Sequence, residues 1–354
     1  MNKKILISTG GSGGHVIPAT ILYDHLSKKT EVIISTDKRG YKYLDKSLNN
    51  IEIVDTPKLA NIFLLPLNLI IITFLTVKSF FLLKKKNIDY LFSTGGYMSL
   101  PLILAAKILN LKIYLFEPNL VLGRANKIFL KSCEKIFCYT DQIKKFPDIY
   151  KNKLVIINPL VRKEYYSTKI REISNNKFNL LIVGGSQGAK IFDNNLKESI
   201  VSLSKEFSIR IIQQTNEKNI SYLSDFYSKN NVENKIFSFD KNFGEIICQS
   251  DLCITRSGAS TLAELSVLNI PFIAVPLPTS RDNHQLENAN FYKNNDCCWL
   301  VEQNSLEEKI ENILKDILND KRDYINKKEN LKKLNYQNTW ISVNQKILRI
   351  INEN

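Results

Sequence analysis

The sequence predicts an α/β protein made of two domains, each built around a parallel sheet. Three observations carry that expectation. The chain has 354 residues, a length that suits two domains with a core each. An apolar run, Lys4-Ile5-Leu6-Ile7, leads into Gly10-Gly11-Ser12-Gly13-Gly14-His15 and then into apolar residues at helical spacing from Val16 to Leu26. The same succession restarts at Phe178 to Val183, followed by Gly184-Gly185-Ser186-Gln187-Gly188-Ala189 and a helix to about Ser204.

Each succession is a strand, a glycine turn and a helix start, the opening of an α/β unit. Glycine permits positive φ and a close approach by another molecule. The first amides of the following helix have no intrahelical partner, and the helix dipole favours negative charge beside them. The first turn is no P-loop, because no Gly-Lys-Ser/Thr closes it, and its glycines do not fit Gly-x-Gly-x-x-Gly. A purely structural turn is the bland alternative. Against it stands His15, placed directly after the turn, where a side chain reaches the crevice at the carboxyl end of a sheet.

Along the first domain, Glu31 to Thr36 reads as a second strand, Asp37 to Tyr43 as its polar exit and Ile51 to Val54 as a third strand. Residues 62–77 are uncharged; Lys78 interrupts before another apolar run and the Lys84-Lys85-Lys86 cluster. Three readings compete here: a buried crossover helix, a helix inserted in a membrane interface with its lysines on anionic headgroups, and a spanning helix. Spanning is disfavoured by Pro66, Lys78 and the lack of polar partner helices. Ile88 to Ser93 is a strand ending in Thr94-Gly95-Gly96-Tyr97. Pro101 opens a helix to Leu109. Strands at Ile113 to Phe116, Ile136 to Thr140 and Leu154 to Ile157 follow, with Glu117, Pro118 and Asn119 at the end of the first. Strands separated by such segments argue a parallel sheet with crossovers.

The polar stretch from Glu164 to Asn176 marks the boundary, giving domains 1–163 and 164–338, with 339–354 as a terminal helix. In the second domain, strands are expected at Phe207 to Gln213, Ile236 to Phe239, Leu252 to Thr255 and Phe272 to Val275. Between the last two lies Arg256-Ser257-Gly258-Ala259-Ser260-Thr261, opening a helix through Glu264. The tail is helical and charged, and Trp340, Val343, Ile347 and Ile350 share a face that can pack back on the first domain. Two such domains imply a ligand cleft between them.

Composition narrows the function. Hydrophobic content of 44% with 24% charged residues fits a folded soluble or peripheral protein. The six cysteines form no Cys-x-x-Cys pair, and with no signal peptide in the sequence they read as buried free thiols in a reducing cytoplasm. With three histidines (15, 25 and 284), a multi-histidine zinc site is not expected. The net charge of +14 favours anionic partners. No stripe of basic and aromatic residues is present, so a membrane surface or a diphosphate substrate is preferred to nucleic acid.

Taken in order, the motifs resemble a known family. They are Gly10 to His15, Gly95-Gly96-Tyr97 with Pro101, Glu117-x-Asn119 with Gly123 and Asn126, Asn158-Pro159-x-x-Arg162, Gly184 to Ala189, Arg256 to Ala259 with Glu264, and Asp282-x-x-Gln285-x-x-Asn288-Ala289. The chain resembles the MurG family of peripheral membrane glycosyltransferases, which add GlcNAc to undecaprenyl-diphospho-MurNAc-pentapeptide (lipid I) to make lipid II for peptidoglycan. The resemblance implies a GT-B fold, two Rossmann-like domains with parallel sheets facing across a deep cleft. It implies UDP-GlcNAc as donor, an inverting transfer to the MurNAc C4 hydroxyl, no cofactor and no essential metal. It also implies an undecaprenyl-diphosphate-linked acceptor, the cytoplasmic side of the inner membrane with its anionic surface, and cell-wall synthesis and division proteins as partners.

Roles follow from the resemblance and from side-chain chemistry together. His15 is the preferred general base, with Glu117 as the rival base or orienting group, and an ordered structural histidine as the bland alternative. Gly13, Gly14, His15, Gly95, Tyr97 and Asn126 are expected at the acceptor. The donor set is Ser12, Gly13, Asn119, Arg162, Ser186, Gln187, Gly188, Gly258, Ala259, Ser260, Glu264, Gln285 and Asn288. In it, Arg162 and the helix after Gly258 face the charge growing on UDP. Glu264 suits ribose hydroxyls, or is simply a carboxylate favoured near a helix start. Gln285 and Asn288 suit GlcNAc, while Asp282 serves its own loop. Phe116 and Pro118 stand where the family usually carries polar side chains. The alternatives are another inverting GT-B transferase with a different lipid-linked or glycolipid acceptor, a UDP-sugar 2-epimerase of the same plan, and a non-catalytic subunit that recruits a transferase to the membrane.

Overall fold

The apolar run at the start of the chain forms β1 (Lys4–Ser8), and α1 (Gly13–Leu26) follows the glycine turn. The structure is a computed structural model and describes residues 3–45, 48, 50–57, 62–168, 177–185, 190–240 and 242–353. The chain divides into two units, Met1–Leu160 with Thr339–Asn354, and Val161–Asn338.

The first unit continues with β2 (Glu31–Thr36), a short α2 (Lys38–Tyr41) where only a polar exit is expected, β3 (Ile51–Ile53), α3 (Leu65–Lys85), β4 (Tyr90–Ser93), α4 (Leu100–Ile108), β5 (Lys112–Glu117), α5 (Arg124–Phe129), β6 (Lys135–Cys138) and β7 (Leu154–Ile156). These strands form one parallel sheet in the order β3-β2-β1-β4-β5-β6-β7. The direction of strand order reverses between β1 and β4, and at such a switch point a crevice opens beyond the carboxyl ends of the strands. Both glycine turns of this unit, 10–14 and 95–96, leave those two strands.

Both faces of the sheet are covered, as parallel sheets require. Ile5 and Ile7 point to one layer with Phe92, Tyr114 and Phe137. Leu6 points to the other with Leu91, Ile113 and Leu115. α3 is the crossover from β3 to β4 and packs on α4, burying Ile72, Leu75, Ser79 and Leu83. Its segment Pro66–Lys85 has a mean hydropathy of 1.9 and is long enough to cross a bilayer. That inner face belongs to the core of the sheet, so extracting the helix into lipid would strip the core. The opposite face is also apolar and stays exposed: Ile70 is 68% and Phe74 70% accessible.

The second unit holds β8 (Phe178–Val183), α6 (Lys190–Asn195), α7 (Lys197–Ser204), β9 (Ile209–Gln214), α8 (Ile220–Lys229), β10 (Glu233–Phe237), α9 (Phe243–Cys248), β11 (Leu252–Thr255), α10 (Ala259–Val267), β12 (Phe272–Ala274), α11 (His284–Asn294), β13 (Cys298–Leu300), α12 (Leu306–Asn319) and α13 (Lys321–Leu334). Its sheet is parallel in the order β10-β9-β8-β11-β12-β13, with the switch point between β8 and β11. The expected third strand of this sheet lies earlier, at Glu233–Phe237. It is an edge strand, and backbone pairing to β9 tolerates Glu233, Asn234 and Lys235 there. The chain closes with α14 (Trp340–Glu353), grouped with the first unit, where Val343, Ile347 and Ile351 are buried among residues of α1 and β1.

Candidate functional site

At the switch point of the first sheet, Gly10, Gly11, Gly95 and Gly96 all take positive φ. Space matters as much as conformation at Gly96, where a Cβ would lie 2.2 Å from the Met98 sulfur and 3.4 Å from His15 Nε2. The turn backbone therefore closes directly over the imidazole. His15 Nδ1 lies 2.8 Å from the carbonyl oxygen of Thr94. A carbonyl only accepts, so Nδ1 carries the proton and Nε2 presents a bare lone pair, as a general base needs. Thr94 is itself held by its amide on Ser8 O at 3.1 Å and its hydroxyl on Thr9 Oγ1 at 2.8 Å. Ser12 is the N-cap of α1, yet its side chain makes no capping bond, and no acidic residue occupies the first turn. The amides of Gly13 and Gly14 thus open a helix with positive potential toward an incoming anion.

Glu117, the rival base, has a different character. It is buried, and both carboxylate oxygens are engaged. Oε1 accepts from the amide and the side chain of Asn119 at 3.2 and 3.1 Å. Oε2 accepts from the Gly123 amide at 2.7 Å and the Asn126 side chain at 3.0 Å. This carboxylate braces the turn that follows β5. Phe116 faces the opposite way, fully buried and edge-on to Tyr139 with ring centroids 5.6 Å apart. Two residues that sequence reasoning passed over as a polar strand exit also belong here. Asp37 Oδ1 accepts from the Gly11 amide at 2.8 Å, and Arg39 donates to the Tyr97 hydroxyl. Their signal in the sequence is an acid and a base two apart at the end of a switch-point strand.

In the second unit, Gly185 has φ 79° beside the switch point; Ser186, Gln187 and Gly188 lie outside the described residues. From the neighbouring strand β11, Gly258 caps α10 with no side-chain capping bond, so Ala259 and Ser260 begin a helix with unmatched amides. Asn288 is buried and donates to Ser257 O at 3.0 Å; Gln285 Oε1 accepts from the Leu277 amide at 2.9 Å. Asn288 therefore ties α11 to the end of β11, and Gln285 ties it to the loop after β12. Arg256 joins those two segments directly: it donates to Val275 O and Pro276 O at 3.1 and 3.2 Å and lies over the Phe192 ring.

Glu264 sits 6% exposed within α10, and its carboxyl meets the side chain of Tyr165. Burial pushes this group up to about 7, while the Arg162 cation nearby pulls the other way. One phenol fills only part of what a carboxyl can accept, so this buried group has capacity left for donors from a ligand. Gln213 and Thr215 instead serve a buried network, donating to Asp193 at 2.9 and 2.6 Å. Among the described residues no three acids, histidines or cysteines gather as a metal site.

The glycosyltransferase family 28 N-terminal domain matches residues 5–138, and the glycosyltransferase family 28 C-terminal domain matches residues 179–339. The UDP-N-acetylglucosamine–N-acetylmuramyl-(pentapeptide) pyrophosphoryl-undecaprenol N-acetylglucosamine transferase of Pelagibacter ubique is 50% identical, covering 100% of both chains. The enzyme of that name from Rickettsia felis is 34% identical over 94% of this chain and 95% of its own. Among solved structures, Acinetobacter baumannii MurG superposes with a TM-score of 0.79 at 23% identity, over 99% of this chain and 100% of that one. A UDP-N-acetylglucosamine 2-epimerase reaches 0.67 at 15% identity, over 100% and 95%. At those identities the structural likenesses establish the shared two-domain α/β fold.

Proposed function

The chain belongs to glycosyltransferase family 28, and on that footing we propose that it transfers GlcNAc from UDP-GlcNAc to the MurNAc of lipid I, forming lipid II. The observation that carries this reading is the 50% identity to the Pelagibacter ubique transferase along the whole chain. The epimerase reading has fold likeness alone in its favour.

The first unit takes the acceptor. His15 Nε2 removes the proton from the MurNAc C4 hydroxyl as that oxygen attacks C1 of GlcNAc. The bond from C1 to the UDP oxygen breaks on the opposite side, so the α-linked donor yields a β-linked product. Support for the base comes from the Thr94 carbonyl, which fixes the tautomer. The acceptor diphosphate is assigned to Gly13 and Gly14 at the start of α1. Glu117 then acts by shaping the turn that presents Asn119 and Asn126.

The second unit takes UDP. Arg162 and the α10 amides at Gly258, Ala259 and Ser260 stabilise the charge that develops on the leaving diphosphate, with Ser186, Gln187 and Gly188 assigned to the same phosphates. Glu264 accepts from the ribose hydroxyls, and Gln285 offers its amide nitrogen to the sugar. Charge stabilisation by these groups is the basis for expecting transfer without an essential metal.

The exposed face of α3 lies on an anionic membrane surface. Ile70, Phe74 and Phe81 insert among acyl chains while Lys78, Lys84 and Lys85, all exposed, meet headgroups. Radiolabel transfer from UDP-GlcNAc to a short-chain lipid I analogue, with and without EDTA, tests the whole reading. A β-linked product in both conditions, with a loss of about 10²- to 10⁴-fold in His15→Ala, is expected. UDP binding without transfer sends the search to other acceptors.

A further inference from the structure

Asp37 has no exposed surface, and both of its oxygens are occupied. Oδ1 accepts from the amides of Gly11 and Gly40 at 2.8 Å each. Oδ2 accepts from Arg39 Nε at 2.7 Å, with a second guanidinium nitrogen of Arg39 paired to the same oxygen. From there Arg39 forks outward, one nitrogen donating to the Tyr97 hydroxyl and another to Thr56 O at 3.3 Å. Its guanidinium carbon lies 5.3 Å from the centre of the Tyr97 ring. One carboxylate–guanidinium pair thereby joins the glycine turn before α1 to the Gly95–Tyr97 turn after β4. Those are the two turns that enclose His15.

We propose that Asp37 and Arg39 are positioning residues for the transfer, locking both turns so that the Tyr97 hydroxyl donates its hydrogen to an oxygen of the bound acceptor. This rests on reading the first unit as the acceptor site. Guanidinium carries donors and no acceptor, so the contact with Tyr97 occupies a lone pair on the hydroxyl oxygen. The phenolic hydrogen is left for another acceptor, and Tyr97 is half-exposed. The planar fork of arginine spreads its donors over three nitrogens to span the carboxylate and the phenol; a lysine ammonium holds all of its donors on one nitrogen and lacks that span. Removing Arg39 leaves the buried Asp37 charge without its counter-ion, which frees the turn that carries Gly11.

The test is steady-state kinetics on UDP-GlcNAc and the short-chain lipid I analogue for wild type, Arg39→Lys, Arg39→Met, Tyr97→Phe and the Arg39→Met/Tyr97→Phe pair, with UDP affinity and melting measured alongside. Arg39→Met should lower kcat/KM for the acceptor by about 10- to 100-fold, as a misplaced reacting group does, with UDP affinity held within about twofold. Tyr97→Phe should show a similar acceptor-specific loss without a change in melting, and Arg39→Lys should recover part of it. The double variant should be no worse than the poorer single one, because both delete the same contact. Additive losses, or donor and acceptor falling together, overturn the inference. If Arg39→Met does not fold, Tyr97→Phe still decides, since an unchanged acceptor kcat/KM there also overturns it. Wild type that makes no product from the analogue overturns the acceptor reading and this inference with it. Wild-type turnover with unaffected variants overturns this inference alone.

Discussion

The side-chain nitrogen of Asn126 lies 3.0 Å from Glu117 Oε2 and 3.0 Å from the carbonyl oxygen of Phe116, donating to both. The carboxylate is thus one end of a brace that holds the residue 117–126 turn to the end of β5. Glu117→Gln turns an amide group toward hydrogen-bond donors whichever way it is rotated. Leaving such buried donors facing each other costs about 1–3 kcal/mol. The expected result is a melting temperature several degrees lower together with reduced transfer. His15→Gln should keep the melting temperature and lose rate by about 10²- to 10⁴-fold. Unchanged melting in Glu117→Gln with a rate loss equal to that of His15→Gln would reassign the base.

With Glu264 assigned to the ribose as proposed, donor affinity should depend on pH. Its carboxyl is pushed up to about 7, so the unliganded protein holds it largely neutral below that pH. Ribose hydroxyls donate best to the ionised form. UDP should therefore bind more tightly as pH rises from 6 to 8, weakening by up to about tenfold per pH unit below the pKa. Calorimetric titration of UDP across that range measures the slope, and Glu264→Gln should flatten it. An equally steep slope in the variant would place the titrating group elsewhere.

Trp340 of α14 stacks on His25 of α1, with ring centroids 3.6 Å apart and planes 14° from parallel. Burial lowers the imidazole from 6.5 to about 3. The folded protein thus keeps His25 neutral while the unfolded chain takes up a proton below about 6.5. This contact contributes fully above pH 6.5, and its contribution is lost progressively as the pH falls toward 3. Stability should drop by up to about 1.4 kcal/mol per pH unit over that window from this group alone. Denaturant melts followed by Trp340 emission in a Trp299→Phe background would report it, and His25→Phe should remove the dependence.

The outer face of α3 carries large apolar side chains that contribute nothing to the core. Ile70→Glu with Phe74→Glu should abolish sedimentation with vesicles containing anionic phospholipid. Melting temperature and turnover of a short-chain, water-soluble acceptor should stay within about twofold of wild type, since exposed positions tolerate substitution. Replacing Lys78, Lys84 and Lys85 by Gln should weaken vesicle binding by about 1 kcal/mol each and reduce its salt dependence. Full retention on vesicles in both variants would exclude this face as the contact.

Legibility in the sequence followed how locally each feature is determined. The strand at Lys4–Ser8 and the helix from Gly13 could be read because apolar spacing and glycines adjoin along the chain. β13 was overlooked: Cys298, Trp299 and Leu300 make a strand three residues long with no alternation, and they pair only because β12 is waiting beside them. Asp37 and Arg39 looked like an ordinary polar exit, since their partners lie in other turns of the fold. Residue type alone marks Gln285 and Asn288 as candidates for the sugar, while their bonds to Leu277 and Ser257 depend on a loop whose path no spacing reveals.

The return of α14 to the first unit bears on how the protein is made. Asn344 donates to the carbonyl of His25 across 319 residues of chain, at 2.6 Å. A ribosome working from the amino terminus finishes every strand of both sheets before it reaches this helix. The second unit can close as soon as residue 338 clears the exit tunnel, whereas α1, with His15 at its start, stays uncovered along His25 until residues 340–353 emerge. Loss of residues 340–353, or stalling before them, would therefore damage the unit that was synthesised first and leave the later one whole.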